Sequence, residues 1–541
     1  MKHKFLPLMF TTAAMLLSSC NFSLSSSSTS NSNSGATSQT TSTSGDSSNS
    51  TTQTVEVKLS SITLSGGTRT FEVGDTFSYA GLTVTAHYTN NTAKTVTGYS
   101  VSTPNMSSAG TKTVTVTYSE GGVTKTASYS ITVVAKNTIS EWTLMFYVCG
   151  SNLESDNGSA KSDLQEILSV RSQQPSSVKI IVETGGSTSW KMSGVSASKL
   201  QRWEINSSCS SSSMSKKQEL SNANMGDGST LQSFLEWGFT NYPAKKYGVF
   251  MWNHGGAMDG CCFDDNYEKA SNGNGLLPHE LSAAVTAARN SKGISSNLEF
   301  IAYDACLMAV QDIAEWNSHN FNYMISSQET EWDGGYDYDA WLPTLYANPS
   351  TVSTPTVLTK IGETFMDYYD NKGYHDQTQS VLDLSKMDAY KTTWENMTQT
   401  LTGTVNSSSK WSTFTTYVNQ ALKYGYNEEC GTSYNNGYPY DVFDINSAMN
   451  KLKNGYSSNS TLVSKFSAVQ TALNDLVIYK RSGSDSSVKG SCGLNLFCPL
   501  SGYNQLEGAT WSGKYYPANY DSSCTNFTKW QAFVEQYGNW A

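Results

Sequence analysis

The sequence predicts an α/β domain built on a mainly parallel sheet flanked by helices, preceded by a smaller all-β sandwich. Three observations predict this. From residue 140 onward, continuous apolar runs such as Trp142–Val148 and Tyr247–Trp252 alternate with amphipathic stretches. Such runs suit strands covered on both faces, and repeated strand–helix units imply parallel pairing. Between residues 55 and 135, Val, Thr and Tyr recur with a period of two in short segments separated by Gly and Asn, the pattern of a sandwich. The third is length: 541 residues exceed one ordinary core and leave room for several domains.

Composition narrows the function classes. Hydrophobic residues make up 38% and charged residues 15%, with Ser, Thr, Asn, Gly and Tyr filling the gap. That balance suits an extracytoplasmic protein. A net charge of −10 argues against nucleic-acid binding, which needs a basic face. No apolar run reaches the roughly 18 residues of a membrane-spanning helix.

Residues 1–20 read as an export signal. Lys2 and Lys4 precede a mostly apolar run, Phe5 to Leu17, too short to cross a bilayer. It ends in Leu17-Ser18-Ser19-Cys20, which resembles the bacterial lipoprotein cleavage box. The resemblance implies that Cys20 becomes the first mature residue and carries the lipid that anchors the chain to a membrane. Residues 21–54 hold 22 Ser or Thr in 34 positions and cannot bury enough apolar area to order themselves. They form a tether with a reach of about 30 Å. The expected location is the bacterial cell surface.

Residues 55–135 carry the alternating segments, notably Thr83–Tyr88, Thr111–Tyr118 and Ala127–Val134. Together with Phe71–Asp75, they resemble bacterial Ig-like surface modules. No catalytic cluster lies here, and His87 reads as a strand-surface residue. The module is expected to act as a spacer or as a glycan or protein contact.

Residues 140–541 hold the α/β domain. Strands are expected at Trp142–Val148, Val178–Val182, Tyr247–Trp252, Leu298–Tyr303 and Tyr323–Ser327. Helices are expected at Ser159–Arg171, Leu231–Phe239, Leu277–Arg289 and Leu307–Trp316. In such sheets ligands bind at the carboxyl ends of strands. The third strand runs into Asn253-His254-Gly255-Gly256 and the fourth into Asp304-Ala305-Cys306. Of six His, only His254 ends an apolar strand before glycines. One strand–helix–strand crossover separates it from Cys306, so neighbouring strands would bring both to one sheet edge.

An apolar strand ending in His-Gly, then one ending in Ala-Cys, marks the caspase-like clan of cysteine peptidases. Trp252–Gly256 with Tyr303–Met308 resembles the clostripain family. Tyr147–Glu154, Ser326–Tyr338, Ser380–Ser385 and Gly493–Phe497 extend the resemblance over roughly 400 residues. Tyr336 stands where that family often has Trp, and Ala257 where a third Gly is frequent.

The residue types supply the chemistry. Cys306 is the nucleophile and His254 the acid/base that protonates the leaving amine. The family implies an oxyanion hole from the backbone N–H groups of Gly255 and Cys306. It also implies that Asp304 lines the pocket for the residue before the cleaved bond and pairs with its Arg or Lys. If the strand persists, Asp304 and Cys306 project to the same side; otherwise Asp304 reads as a helix cap. A second pocket acid is expected from the Asp333–Asp339 loop, with Asp337 the choice. Some clostripain-like peptidases cut themselves between His and Cys. In the loop Asp264–Gly275 the sole basic residue is Lys269, followed by Ala270, so self-cleavage is expected there. Eight further cysteines leave pairing open. Cys261-Cys262 and Cys492-x5-Cys498 lack the His partners of a zinc site. No cofactor is required; family resemblance alone raises calcium, and Asp156, Asp264 and Asp265 show no calcium-loop pattern.

The expected function is a surface-anchored cysteine endopeptidase acting on proteins or peptides after Arg or Lys. The alternatives are an inert peptidase-like binding protein or adhesin, and a peptidase whose pocket selects Asn or Asp.

Overall fold

The computed structural model describes residues 56–134, 139–267, 275–425, 442–498 and 527–536. They divide into two compact units near Val133.

The N-terminal unit is a sandwich of two antiparallel sheets. One orders strands β1 (Leu59–Gly66), β3 (Leu82–Tyr88) and β4 (Ala93–Val96) as β1-β3-β4. The other orders β2 (Thr70–Glu72), β5 (Ser100–Val101), β6 (Gly110–Glu120) and β7 (Val123–Val134) as β2-β7-β6-β5. Period-two alternation sends Ile62, Val84, Ala86, Val96 and Val116 into the core while the intervening Thr residues face out. His87 lies on the sheet surface, 2.9 Å from Thr63 Oγ1.

The second unit carries a nine-stranded sheet. Its strands are β8 (Ser140–Cys149), β9 (Val178–Gly185), β10 (Lys199–Ile205), β11 (Ser215–Ser221), β12 (Ala244–Trp252), β13 (Leu298–Asp304), β14 (Phe321–Ser326), β15 (Thr378–Asp383) and β17 (Val477–Ser482). Their order is β11-β10-β9-β8-β12-β13-β14-β15-β17. The five central strands, β9 through β14, are mutually parallel; β10, β11, β15 and β17 add antiparallel flanks. A separate ribbon pairs β16 (Val442–Asp444) with β18 (Asn495–Phe497), so the Gly493–Phe497 segment joins this ribbon and not the main sheet.

Both faces of the sheet are covered, which explains the unbroken apolar runs. Phe146, Val148, Phe250, Trp252 and Ala302 meet helices α1 (Ser159–Ser169), α5 (Tyr338–Ala347) and α6 (Thr354–Asn371). Tyr147, Val249, Met251 and Tyr303 meet α2 (Gly228–Asn241), α3 (Pro278–Ser291), α4 (Gln311–Ser318) and α7 (Met387–Thr404). Phe146 stacks on Phe250 with centroids 4.3 Å apart, and Phe250 on Trp341 at 5.7 Å. Among the described residues no helix is long and apolar enough to cross a membrane.

The chain leaves β8 toward β9 and the β10–β11 edge, then returns to place β12 on the other side of β8. Strand order therefore reverses between β8 and β12. Loops after neighbouring strands diverge at such a point and open a crevice at the strand carboxyl ends. The ends of β8, β12 and β13 lie at this reversal.

Candidate active site

Trp252 and Asp304 pair across β12 and β13. Asn253 N–H extends the ladder by donating to Asp304 O at 3.3 Å. His254 and Cys306 thus each stand two residues beyond a paired position, on neighbouring strands. Both are partly exposed. The main chains meet just beyond: a Cβ on Gly255 would fall on the Cys306 carbonyl oxygen and 2.9 Å from Cys306 N. Only glycine permits that approach. Gly255 N–H is directed at the Cys306 sulfur, which places one of the two expected oxyanion donors beside the expected nucleophile.

Burial favours the neutral form of both side chains. Burial pushes the His254 imidazole down to about 4. Burial also pushes the Cys306 thiol up to about 12, the carboxylate of Glu331 adds to the rise, and the N–H groups of Glu331 and Gly255 oppose it. The main chain of Glu331 sits on the sulfur: Glu331 N–H donates to Sγ at 3.2 Å, and Sγ lies 3.7 Å from Glu331 O. Leu307 N–H donates to Glu329 O at 3.2 Å and Ala309 N–H to Ser327 O at 2.9 Å, so this segment is docked along the Cys306 turn.

Asp304 and Cys306 do not share one strand face. β13 ends at Asp304, and Leu307 adopts φ +63°, so the alternation stops before Cys306. Asp304 belongs to the side covered by α1 and α5, while Cys306 packs toward the opposite core. Nor does Asp304 cap a helix. The helix expected from Leu307 begins at Gln311, with Val310 as its N-cap. Instead the Asp304 carboxylate accepts Tyr338 O–H at 2.7 Å and Tyr336 N–H at 3.2 Å. Burial pushes it up to about 6 against both bonds.

Two acids that sequence reasoning missed accompany it. Asp163 of α1 accepts Trp252 Nε1–H at 2.6 Å and is held well above the carboxylate range by burial and by Asp304. Glu331 is raised by burial and by Asp304, and accepts from Gln379 and from Ala305 N–H. One oxygen of Asp163 and one of Glu331 are buried without a hydrogen-bond partner. Among the described residues no Lys or Arg ion-pairs with any of the three acids. Asp163 sits in a stretch read as a helix, Glu331 in a segment quoted for its family likeness, and nothing in either local pattern marks a buried carboxylate.

Asp337 joins the group only through Glu166, which feels both Asp337 and Asp304. Asp337 occupies the N-cap position of α5, and burial together with Asp339 pushes it up to about 6. Asp337, Asp339 and Glu166 bring oxygens within 4.8 Å of one another. These are hard oxygen donors of the kind calcium takes, which gathers six to eight oxygens from carboxylates, carbonyls and water. The acids singled out in the sequence are engaged otherwise: Asp264 accepts from Met225 and Asn266 N–H, and Asp265 accepts Asn152 N–H. No disulfide joins the seven described cysteines, and no Cys/His group suits a metal among the described residues. Cys20, Cys430, Cys524, Lys269 and Ala270 lie outside the described residues.

The Glu331 carboxylate next to the thiol has a measurable consequence. A carboxyl whose folded pKa exceeds its unfolded value makes the folded chain bind more protons, so stability falls as pH rises from about 4.3. Glu331→Gln should therefore raise Tm at pH 7.5 and lose that advantage near pH 4. It should also speed iodoacetamide capture of Cys306 severalfold at pH 8, read by peptide mapping. An unchanged rate at Cys306 would show that the carboxylate does not act on the thiol.

A largely parallel sheet delivering His and Cys from neighbouring strand ends defines the class of caspase-like cysteine peptidases. The chain belongs to the clostripain family, whose model matches residues 146–537. The bacterial Ig-like domain (group 3) matches residues 68–133. Clostripain of Hathewaya histolytica is 25% identical over 317 residues, which are 51% of this chain and 57% of that protein. The chain therefore spans little more than half the length of that relative. Two solved structures share the fold. An inactive zymogen C11 protease from Parabacteroides distasonis is 17% identical with a TM-score of 0.51, covering 70% of this chain and 99% of its own. A secreted C11 cysteine protease from Bacteroides thetaiotaomicron, in complex with an irreversible peptide inhibitor, is 17% identical with a TM-score of 0.51, covering 73% and 100%.

Proposed function

We propose that this cysteine peptidase is a lipid-anchored surface endopeptidase that hydrolyses peptide bonds after Arg or Lys, with Cys306 as nucleophile and His254 as acid/base. The observation that carries the reading is the Trp252–Asp304 pairing, which sets His254 and Cys306 at adjoining strand ends with Gly255 against Cys306. The Cys306 sulfur attacks the scissile carbonyl, and its proton passes to His254. The oxyanion takes the Gly255 and Cys306 N–H groups. The C–N bond breaks as His254 returns the proton to the leaving amine, leaving a thioester. Water, deprotonated by His254, then cleaves the thioester and restores the thiol.

The preference for a cation is supported by the buried acids Asp163, Asp304 and Glu331. Burial raises all three acids, neighbouring carboxyls add to the rise of Asp163 and Glu331, and among the described residues no positive charge offsets this. A substrate guanidinium or ammonium would supply that charge. Asp337, placed with Asp339 and Glu166, is the weaker choice for the second pocket acid. The lipid anchor rests on the Leu17–Cys20 box and the tether that follows it. The test is a fluorogenic panel differing only at the residue before the cleaved bond. Thiol-dependent hydrolysis of the Arg and Lys members is expected; equal rates for neutral members, or none for any, would overturn the reading.

Self-cleavage at Lys269 belongs to the same proposal. Sequencing the N-termini of purified active enzyme should reveal a fragment beginning at Ala270, absent from Cys306→Ala. A fully active Lys269→Ala protein that stays one chain would remove the idea.

A further inference from the structure

His254 has a fixed partner at the end of the neighbouring strand β8. Its Nε2 lies 2.7 Å from Asn152 Oδ1, on the loop after β8. An amide oxygen only accepts, so Nε2 carries the proton and Nδ1 keeps its lone pair.

The Asn152 turn is held from three sides. Gly150 N–H donates to Gly185 O at 2.8 Å and Ser151 N–H to Gly186 O at 3.0 Å, carrying the β8–β9 ladder past the strand ends. Ser187 Oγ–H donates to Ser151 O at 2.7 Å, across a residue at φ +42°. From β12, the Asn253 side-chain amide donates to Cys149 O at 2.6 Å and to Ser151 Oγ at 2.8 Å. Asn152 N–H itself is taken by the Asp265 carboxylate. Non-glycine residues leave the common backbone regions only where their surroundings over-determine them. Here the surroundings fix the amide on the imidazole.

We propose that Asn152 is the positioning residue of the dyad: it holds the His254 ring in the tautomer that leaves Nδ1 to the thiol and the leaving amine, and it steadies the imidazolium formed in turnover. The inference rests on the reading of His254 as the acid/base. A base oriented by a third group is the general form of activated nucleophiles. Asn supplies a dipole where Asp would supply a full charge, so the imidazole is oriented without being made strongly basic.

The experiment uses the full chain and an Arg substrate. Asn152→Ala should lower kcat by about 100-fold with KM little changed, because acid/base efficiency is lost while substrate contacts stay. Asn152→Asp keeps an accepting oxygen. It should recover at least about tenfold over the Ala variant and shift the acidic limb of kcat, which reports the enzyme–substrate complex, upward by about one pH unit, since a carboxylate favours the imidazolium. Other charges facing this region are Asp265 with Asp264 and Asp156 behind Asn152, and Glu329 and Glu331 beside Cys306; all stay in place in both variants. His254→Ala separates the two readings. If it retains wild-type rates, the dyad itself fails. If it is inactive while Asn152→Ala stays within threefold of wild type, only the role of Asn152 fails. Should Asn152→Ala not fold, Asn152→Asp decides: an acidic limb that does not move overturns the proposal.

Discussion

Cys306→Ala should abolish turnover and leave the fold in place, and His254→Ala should do the same. Without the sulfur there is no atom to form the thioester, so the loss should reach the background rate, about 10⁴-fold or more. The fold should survive because neither side chain carries the core. Both are partly exposed, and the Cys306 sulfur bonds only main-chain groups that can turn to water. Changes in Tm should stay within a few degrees, the usual result of removing one such contact. Circular dichroism and thermal melting, run beside the fluorogenic assay, check both halves. Full activity in Cys306→Ala would end the assignment at this site.

Asp304→Asn should cost less in rate on neutral substrates and much more in preference. The swap keeps shape and still lets Tyr338 O–H and Tyr336 N–H donate to an oxygen, so the pocket walls should hold. What goes is the charge. A substrate cation left without its partner in a desolvated site loses about 3 kcal/mol, a little over 100-fold in preference for Arg over Gln. The pH profile should change with it. In wild type, kcat/KM for Arg substrates should fall as pH drops through about 6, where Asp304 gains its proton. That limb should vanish in the variant. An unchanged preference for basic substrates would show that Asp304 serves only the two tyrosines.

How much of this could be read from the chain depended on burial. The central strands were legible because both faces of the sheet are covered, which makes Trp142–Val148 and Tyr247–Trp252 continuously apolar. β11, with the sequence SKKQELS, lies at an edge, and its half-exposed alternation looks like any polar loop. The helix after Cys306 began four residues late because Leu307 takes a left-handed turn and Val310 bridges to Asn495 before the helix can start. His254 and Cys306 stood out as reactive groups at the ends of apolar strands. Asn152 did not, since an Asn after Gly-Ser is ordinary turn chemistry. Asp163 and Glu331 are invisible for another reason: a carboxylate buried beside its like is written with the same letters as one in solvent.

The main chain of Glu331 rests against the Cys306 sulfur, and a contact of this kind can make reactivity an equilibrium quantity. If a scissile carbonyl has to displace Glu331 from the sulfur, every covalent reagent meets only the fraction of molecules in which it has left. If that fraction is about one in a hundred, a difference of about 2.7 kcal/mol, the apparent rate constant of a peptide-directed inhibitor falls a hundredfold. Its intrinsic reactivity toward the thiolate is unaltered. Inhibitors of different warhead chemistry would then share one common attenuation factor. That factor could be measured once and divided out, and any change that loosens the segment would raise all of their rates in the same proportion.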